Sequence, residues 1–155
     1  MHSHALLLDK LYTSLNKKDH LAMAECYDKD AEFTDIAFNL RGENKIRAMW
    51  HMICLTDLKA TFEILVVDDQ TGTGDLVDEY TFGDTGRRVH NVIRSNFRFQ
   101  NGLLVQHHDK CSALKWGLQA LGPVKGVTAW LIPSIRRASA DRKINAFIEE
   151  HPEYR

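Results

Sequence analysis

Arg88-Val-His-Asn-Val-Ile-Arg-Ser-Asn-Phe-Arg-Phe-Gln-Asn-Gly-Leu-Leu-Val-Gln-His-His-Asp-Lys-Cys111 reads as two strands joined by a turn. Asn101-Gly102 supplies the two positive φ angles that a tight hairpin turn requires, and alternating side chains flank it on both sides. Working back toward the N-terminus, Ala60 to Val67 and Asp75 to Phe82 carry the same two-residue period. Polar, Gly-rich turns at Asp69 to Gly74 and Gly83 to Gly86 separate them, so residues 60–111 predict an antiparallel meander. Further back the period changes to that of a helix. Leu7, Leu8, Leu11 and Leu15 form one stripe with Tyr12 beside it, and Ile46, Met49, Trp50 and Ile53 form another in a helix starting near Glu43. Between them, Asp19 caps a short helix bearing Leu21, Ala24 and Tyr27, and a short strand runs from Glu32 to Ile36. Beyond the meander, Ser134 to Glu150 predicts one more helix. Helices first and a meander after them make an α+β domain, a curved antiparallel sheet with the helices on one face.

Composition narrows the function classes. A chain of 155 residues with 44% apolar and 26% charged side chains fits one globular domain, residues 1–155. Twenty basic against 21 acidic residues leave a net charge of -1, which argues against a nucleic-acid partner. The basic pairs Arg87-Arg88 and Arg136-Arg137 read as parts of a solvated face. Three widely spaced cysteines, Cys26, Cys54 and Cys111, form no CxxC motif; they suit a reducing, cytoplasmic setting rather than a disulfide framework. The N-terminus has no basic run ahead of an apolar core, so no signal peptide is expected. The most apolar stretch, Leu118 to Ile135, is interrupted by Gly122, Pro123, Lys125, Gly126 and Pro133. It reads as core or subunit interface, not as a membrane span.

Strand alternation then sorts side chains by face. Val89, Asn91, Ile93, Ser95, Phe97 and Phe99 share one face, and Leu103, Val105, His107, Asp109 and Cys111 share another; Phe33 goes with Asp35 in the first strand. An apolar face that ends in His-x-Asp must give its carboxylate a partner or water, because burying it alone costs several kcal/mol. Asp35, His107 and Asp109, with Tyr12 on the covering helix, therefore point to an apolar pocket with a few convergent polar groups. A carboxylate there has its pKa raised and can serve as a general base. The same His107–Asp109 pair would equally serve to hold the last strand in place. His2 and His4 have no spacing that makes a metal site, and no metal is expected.

The order of these features resembles the NTF2-like superfamily, in its SnoaL-like and ketosteroid-isomerase-like branch. The residues carrying the resemblance are Tyr12-Thr-Ser-Leu-Asn-Lys-Lys-Asp19, Phe33-Thr-Asp35 before Leu40-Arg-Gly42, Asn96-Phe-Arg-Phe99 with Asn-Gly, His107-His-Asp109, and Trp116-Gly-Leu-Gln-Ala-Leu-Gly122 followed by Trp130-Leu-Ile-Pro133. The resemblance implies an NTF2-like cone whose concave side is covered by the N-terminal helices, with an extra C-terminal helix. It also implies catalytic roles: Tyr12 matches the isomerase tyrosine and Asp35 its base, Ser95 stands where the isomerase has its oxyanion aspartate, and Asp109 resembles the late aspartate of the cyclases.

Two functions of different class follow. One is an acid–base enzyme of isomerase, cyclase or hydratase type, without cofactor, acting on a small hydrophobic carbonyl compound. Asp35 or Asp109 would be its base, Tyr12 or His107 would bind the enolate oxygen, and Ser95, Asn91, Trp50 and Phe97 would contact the ligand. The other is a non-catalytic ligand-binding or dimerisation module. Either would pair as a homodimer, because the apolar Trp116 to Ile135 stretch is too large to leave in water.

Overall fold

In a computed structural model describing residues 1–155, six strands form one curved, open sheet. They are β1 (Tyr27–Thr34), β2 (Asn39–Arg41), β3 (Lys59–Val67), β4 (Thr71–Phe82), β5 (Arg87–Gln100) and β6 (Leu103–Cys111). The order across the sheet is β2-β1-β6-β5-β4-β3. The meander from β3 to β6 is antiparallel as its alternation predicts, and Asn101 and Gly102 turn it with φ of 53° and 78°. The helices α1 (Ser3–Asn16), α2 (His20–Ala24) and α3 (Glu43–Cys54) cover it. Leu8, Leu11 and Leu15 of α1 meet Ile46, Met49 and Trp50 of α3 in one core with Phe33, Phe97 and Leu104 of the sheet. Asp19 caps α2, its Oδ1 accepting from the Ala22 N–H at 3.0 Å.

Four local expectations need correction. Tyr27 is the first residue of β1, not part of the second helix. The strand expected at Glu32 to Ile36 ends at Thr34, because the Asp35 carboxylate takes the Ala37 and Phe38 N–H groups and turns the chain. Next, the sheet is not wholly antiparallel: β1 lies parallel to β6, with Phe33 opposite His107. The intervening meander is the long crossover that a parallel pair requires. β4 also begins earlier than expected, at Thr71, because the Asp68 side chain closes a tighter turn by accepting from the Gln70 and Thr71 N–H groups.

The apolar stretch after the meander folds into α4 (Ala113–Leu121) and α5 (Pro123–Leu131), followed by α6 (Pro133–Glu150). Pro123 and Pro133 each stand in a first helical turn, where a missing N–H costs nothing. Arg87 is not merely solvated. Its Nε donates to the Gln119 carbonyl at 2.6 Å, so it caps the end of α4. Arg88 pairs with Asp57. At its far end α6 leads into a short 3-10 turn (Pro152–Tyr154), where Tyr154 is buried against α3 and its hydroxyl lies 3.0 Å from His51 Nδ1. No helix is long and apolar enough to cross a membrane.

The α4–α5 crossing depends on two glycines. A Cβ on Gly117 would lie 2.7 Å from the Gly126 carbonyl oxygen, which is main chain and cannot swing aside. Gly117→Ala should therefore cost about 1–3 kcal/mol, the usual range for overpacking. Gly83→Ala, where a Cβ meets nothing within 4 Å, is the control and should be near neutral. Thermal melts of both variants check this; equal stability would show that the two helices have room to move apart.

Candidate active site

The concave face is built by register. Ser95 on β5 stands opposite Asp109 on β6, Phe97 opposite His107, and Asp78 on β4 opposite Asn91. Asp109 Oδ1 accepts from Ser95 Oγ at 2.6 Å and from His107 Nε2 at 2.9 Å. The other ring nitrogen, His107 Nδ1, lies 2.7 Å from the Tyr27 hydroxyl, which accepts from Trp50 Nε1 at 3.1 Å. Tyr12 donates to Ser95 Oγ across 3.4 Å. Trp50 can only donate, so the Tyr27 hydroxyl has its own proton to give to His107 Nδ1, which leaves Nε2–H to face Asp109. Every donor then runs toward one carboxylate oxygen. His107 is fully buried and Asp109 nearly so.

Two further carboxyls face this network. Burial raises Asp35 to about 6 against the pull of its two N–H bonds from Phe38 and Ala37, and the Asp109 charge adds to the rise. Asp78 is raised to about 7, again mainly by burial and then by the charges of Asp109 and Asp35. Its Oδ1 is buried and has no hydrogen-bond partner. Burial, more than the nearby Asp109 charge, also holds the Tyr12 phenol protonated far above its ordinary range. The concave face thus has a satisfied carboxylate, two carboxyls poised near neutrality and a phenol donor.

The residues expected from sequence fall into distinct places. Tyr12, Ser95, His107 and Asp109 share one network, and Asp35 joins it electrostatically rather than by a bond. Trp50 is a link in the network, donating to Tyr27, instead of a free ligand wall. Phe97 packs its ring 4.7 Å from that of His107. Asn91 donates to Cys111 Sγ at 3.6 Å. Both nitrogens of His107 are engaged, which leaves none for a bound molecule. Tyr27 and Asp78 are the members that the sequence reading missed. Asp78 was detectable, since it stands in phase with Leu76 and Tyr80 on alternate positions of β4. A hollow of about 10 Å³ is bordered by Tyr12, Ser95, Phe97, Leu8, Phe62 and Leu76, and neither Asp35 nor Asp109 lines it. That is room for about one water. No three His, Cys, Asp or Glu side chains are grouped to hold a metal ion.

Residues 8–107 match the family model of the SnoaL-like domain. No curated protein matches the chain in sequence. Among solved structures, a LEH-like epoxide hydrolase of M. tuberculosis superposes with a TM-score of 0.60, at 15% identity over 82% of this chain and 93% of that one. A protein of ketosteroid isomerase-like fold from Catenulispora acidiphila, in complex with trimethylamine, gives 0.65 at 11% identity over 76% and 93%. An epoxide hydrolase/cyclase-like enzyme of pyran ring formation in the polyether salinomycin gives 0.62 at 14% over 69% and 88%. At these identities the likeness shows the fold, which is the NTF2-like cone.

The raised pKa of Asp78 makes stability depend on pH. The folded protein holds this proton more tightly than the unfolded chain does, so its contribution is complete below the ordinary carboxyl value of 3.8 and is lost as pH rises through about 7. Asp78→Asn should therefore be more stable than the wild type at pH 8, on the order of 1–3 kcal/mol, and gain little at pH 4. Urea melts at the two pH values check this; an equal gain at both would show that Asp78 titrates normally.

Proposed function

The chain belongs to the SnoaL-like domain family, and from that premise we propose that it is an acid–base enzyme moving a proton on a small hydrophobic carbonyl compound, of isomerase, cyclase or hydratase type. One observation carries this reading: two carboxyls near neutrality, Asp35 at about 6 and Asp78 at about 7, face the same satisfied Asp109. Paired carboxyls whose environments separate their pKa values divide into base and acid. At pH 7 Asp35 is mostly ionised, and its second oxygen, free of the two N–H bonds that hold Oδ1, takes the proton from carbon. Asp78, raised further than Asp35, can hold a proton and return it to the substrate. Tyr12 holds Ser95 by a long bond of 3.4 Å, which it can exchange for a developing enolate oxygen. His107 and Ser95 act by position, fixing Asp109 so that its charge stays put. The neighbours named as epoxide hydrolase and cyclase-like enzymes support proton transfer on this scaffold.

The non-catalytic ligand-binding or dimerisation module is the competing reading, and the hollow beside Tyr12, with room for about one water, favours its dimerisation form. Deuterium exchange decides between them. In D₂O, the wild type should speed loss of the α-protons of small cyclic ketones, followed by NMR. Asp35→Asn should lower that rate about 10²–10⁴-fold, and Tyr12→Phe about 10–10³-fold. Ketone binding with no exchange, or an Asp35→Asn variant as fast as the wild type, would leave the binding module.

We also infer a homodimer. Val124, Trp130, Leu131, Ile132 and Ile135 are all between 44% and 80% exposed on α5 and the start of α6, a cluster larger than scattered surface residues. Sedimentation should show a dimer at micromolar concentration and a monomer for Leu131→Glu; a monomeric wild type would overturn the pairing.

A further inference from the structure

Arg136 and Arg137 stand side by side in the early turns of α6. None of the protein's ion pairs includes either one. Far from lying on a solvated face, as the sequence suggested, both are half-buried and bonded to main-chain carbonyls. Arg136 donates to Ile36 O at 3.0 Å and to Ala129 O at 2.5 Å, and Arg137 Nη2 donates to Asp35 O at 3.3 Å. Nη1 of Arg137 is buried and bonded to nothing. A guanidinium N–H in that state bears its full desolvation cost, which an acceptor would relieve. The helix itself adds to the positive field: α6 has 18 residues, no side-chain cap and no acidic residue in its first turn, so its N-terminal N–H groups lie close to the two arginines. The two charges repel each other, and neither is neutralised by an ion pair.

We propose that Arg137, reinforced by Arg136, is an anion-recognising subsite of the active site, and that the substrate carries a carboxylate. The inference rests on the acid–base reading above for its link to turnover. Arg137 grips the main chain of the residue whose side chain is the proposed base, so a bound anion lies at the edge of the reacting face. A planar carboxylate suits the guanidinium fork. A phosphate dianion suits it less well, because the Asp35 and Asp109 carboxyls lie just beyond the turn and their repulsion grows with the anion's charge. The Asp35–Phe38 turn separates the two fields, with arginines on its main chain and carboxyls beyond it. A small acid that presents its carboxylate to Arg137 and its acidic C–H to Asp35 fits across that turn. Both arginines lie outside residues 8–107, so the chain's C-terminal helices set this preference and the family domain does not.

Benzoate and the neutral, near-isosteric benzamide are the probes. Titration of ¹⁵N-labelled protein with benzoate should move the arginine Nε–H signals and the Ala37 and Phe38 amides along a saturating curve, and benzamide should leave them in place. Arg137→Gln should weaken benzoate about tenfold or more. Arg142→Gln, an exposed arginine of the same helix, should bind as the wild type does. If Arg137→Gln fails to fold, Arg137→Lys replaces it: it keeps the charge and loses the fork, and it should bind benzoate measurably more weakly than the wild type. Equal binding of benzoate and benzamide, unchanged affinity in the variant that folds, or inorganic phosphate displacing benzoate at equal concentration would each overturn the carboxylate subsite. The two readings fail separately. Ketone exchange that survives while benzoate does not bind removes only the subsite, and benzoate binding without exchange removes only the enzyme.

Discussion

Oδ1 of Asp109 takes hydrogen bonds from His107 and Ser95 inside an enclosure of aromatic rings, and the interior is arranged to supply it. A buried carboxylate is tolerable only with donors, and donors stay aimed only when they are held in turn. Tyr27 fixes the His107 ring, Trp50 fixes Tyr27, and Tyr12 reaches Ser95. Those side chains come from α1, α3, β1, β5 and β6, so satisfying one charge ties together five elements. Networks of this kind bind more firmly than their separate pairs suggest, and a break anywhere strands the rest. The same charge reaches further than its bonds. It helps raise Asp35 and Asp78, neither of which touches it, toward neutrality. The fully bonded carboxylate therefore adjusts two others to which it is not bonded.

The C-terminal helices stand in a different relation to the site. They lie beyond the residues that match the family, yet they are not an appendage. Arg136 and Arg137 bind the carbonyls of Ile36 and Asp35, and the chain end packs Tyr154 against α3. The turn that presents the Asp35 carboxylate is thus held from both sides: by its own Asx hydrogen bonds within, and by α6 from outside. Such a turn has little conformational freedom left to lose.

Where local chemistry decides the structure, the sequence was legible. Asn101-Gly102 sets its turn wherever the strands go, Asp19 caps whatever helix follows it, and alternation along β5 and β6 places Ser95, His107 and Asp109 on one face. Legibility ends where a partner is remote. Nothing near Tyr27 shows that it will pair with β6, so helical spacing with Leu21 and Ala24 misassigned it. The end of β1 depends on Asp35 capturing two N–H groups, which an alternating pattern through Ile36 conceals. Asp78 failed for another reason. Asp75, Asp78 and Glu79 look like one acidic edge until β4 is put in phase, and only then does Asp78 turn inward while Asp75 pairs outward with Arg94. The arginine pair looked solvated because basic doublets usually are; what holds Arg136 and Arg137 is a carbonyl-lined turn about a hundred residues earlier in the chain.

The parallel pairing of β1 with β6 also orders events in time. β3 to β6 close through short turns, so each strand meets its partner soon after it is made, and such contacts form early. β1 meets β6 only across a long loop, with Tyr27 and His107 80 residues apart, and closing it costs entropy before any contact returns it. A chain that has built its meander alone would have Ser95 and His107 already on Asp109, while Tyr27, Trp50 and Tyr12 are still absent from behind them. The half-made sheet would carry that carboxylate open to water. The completed network, with the raised Asp35 and Asp78 carboxyls beside it, is therefore acquired last, in the same step that seals the fold.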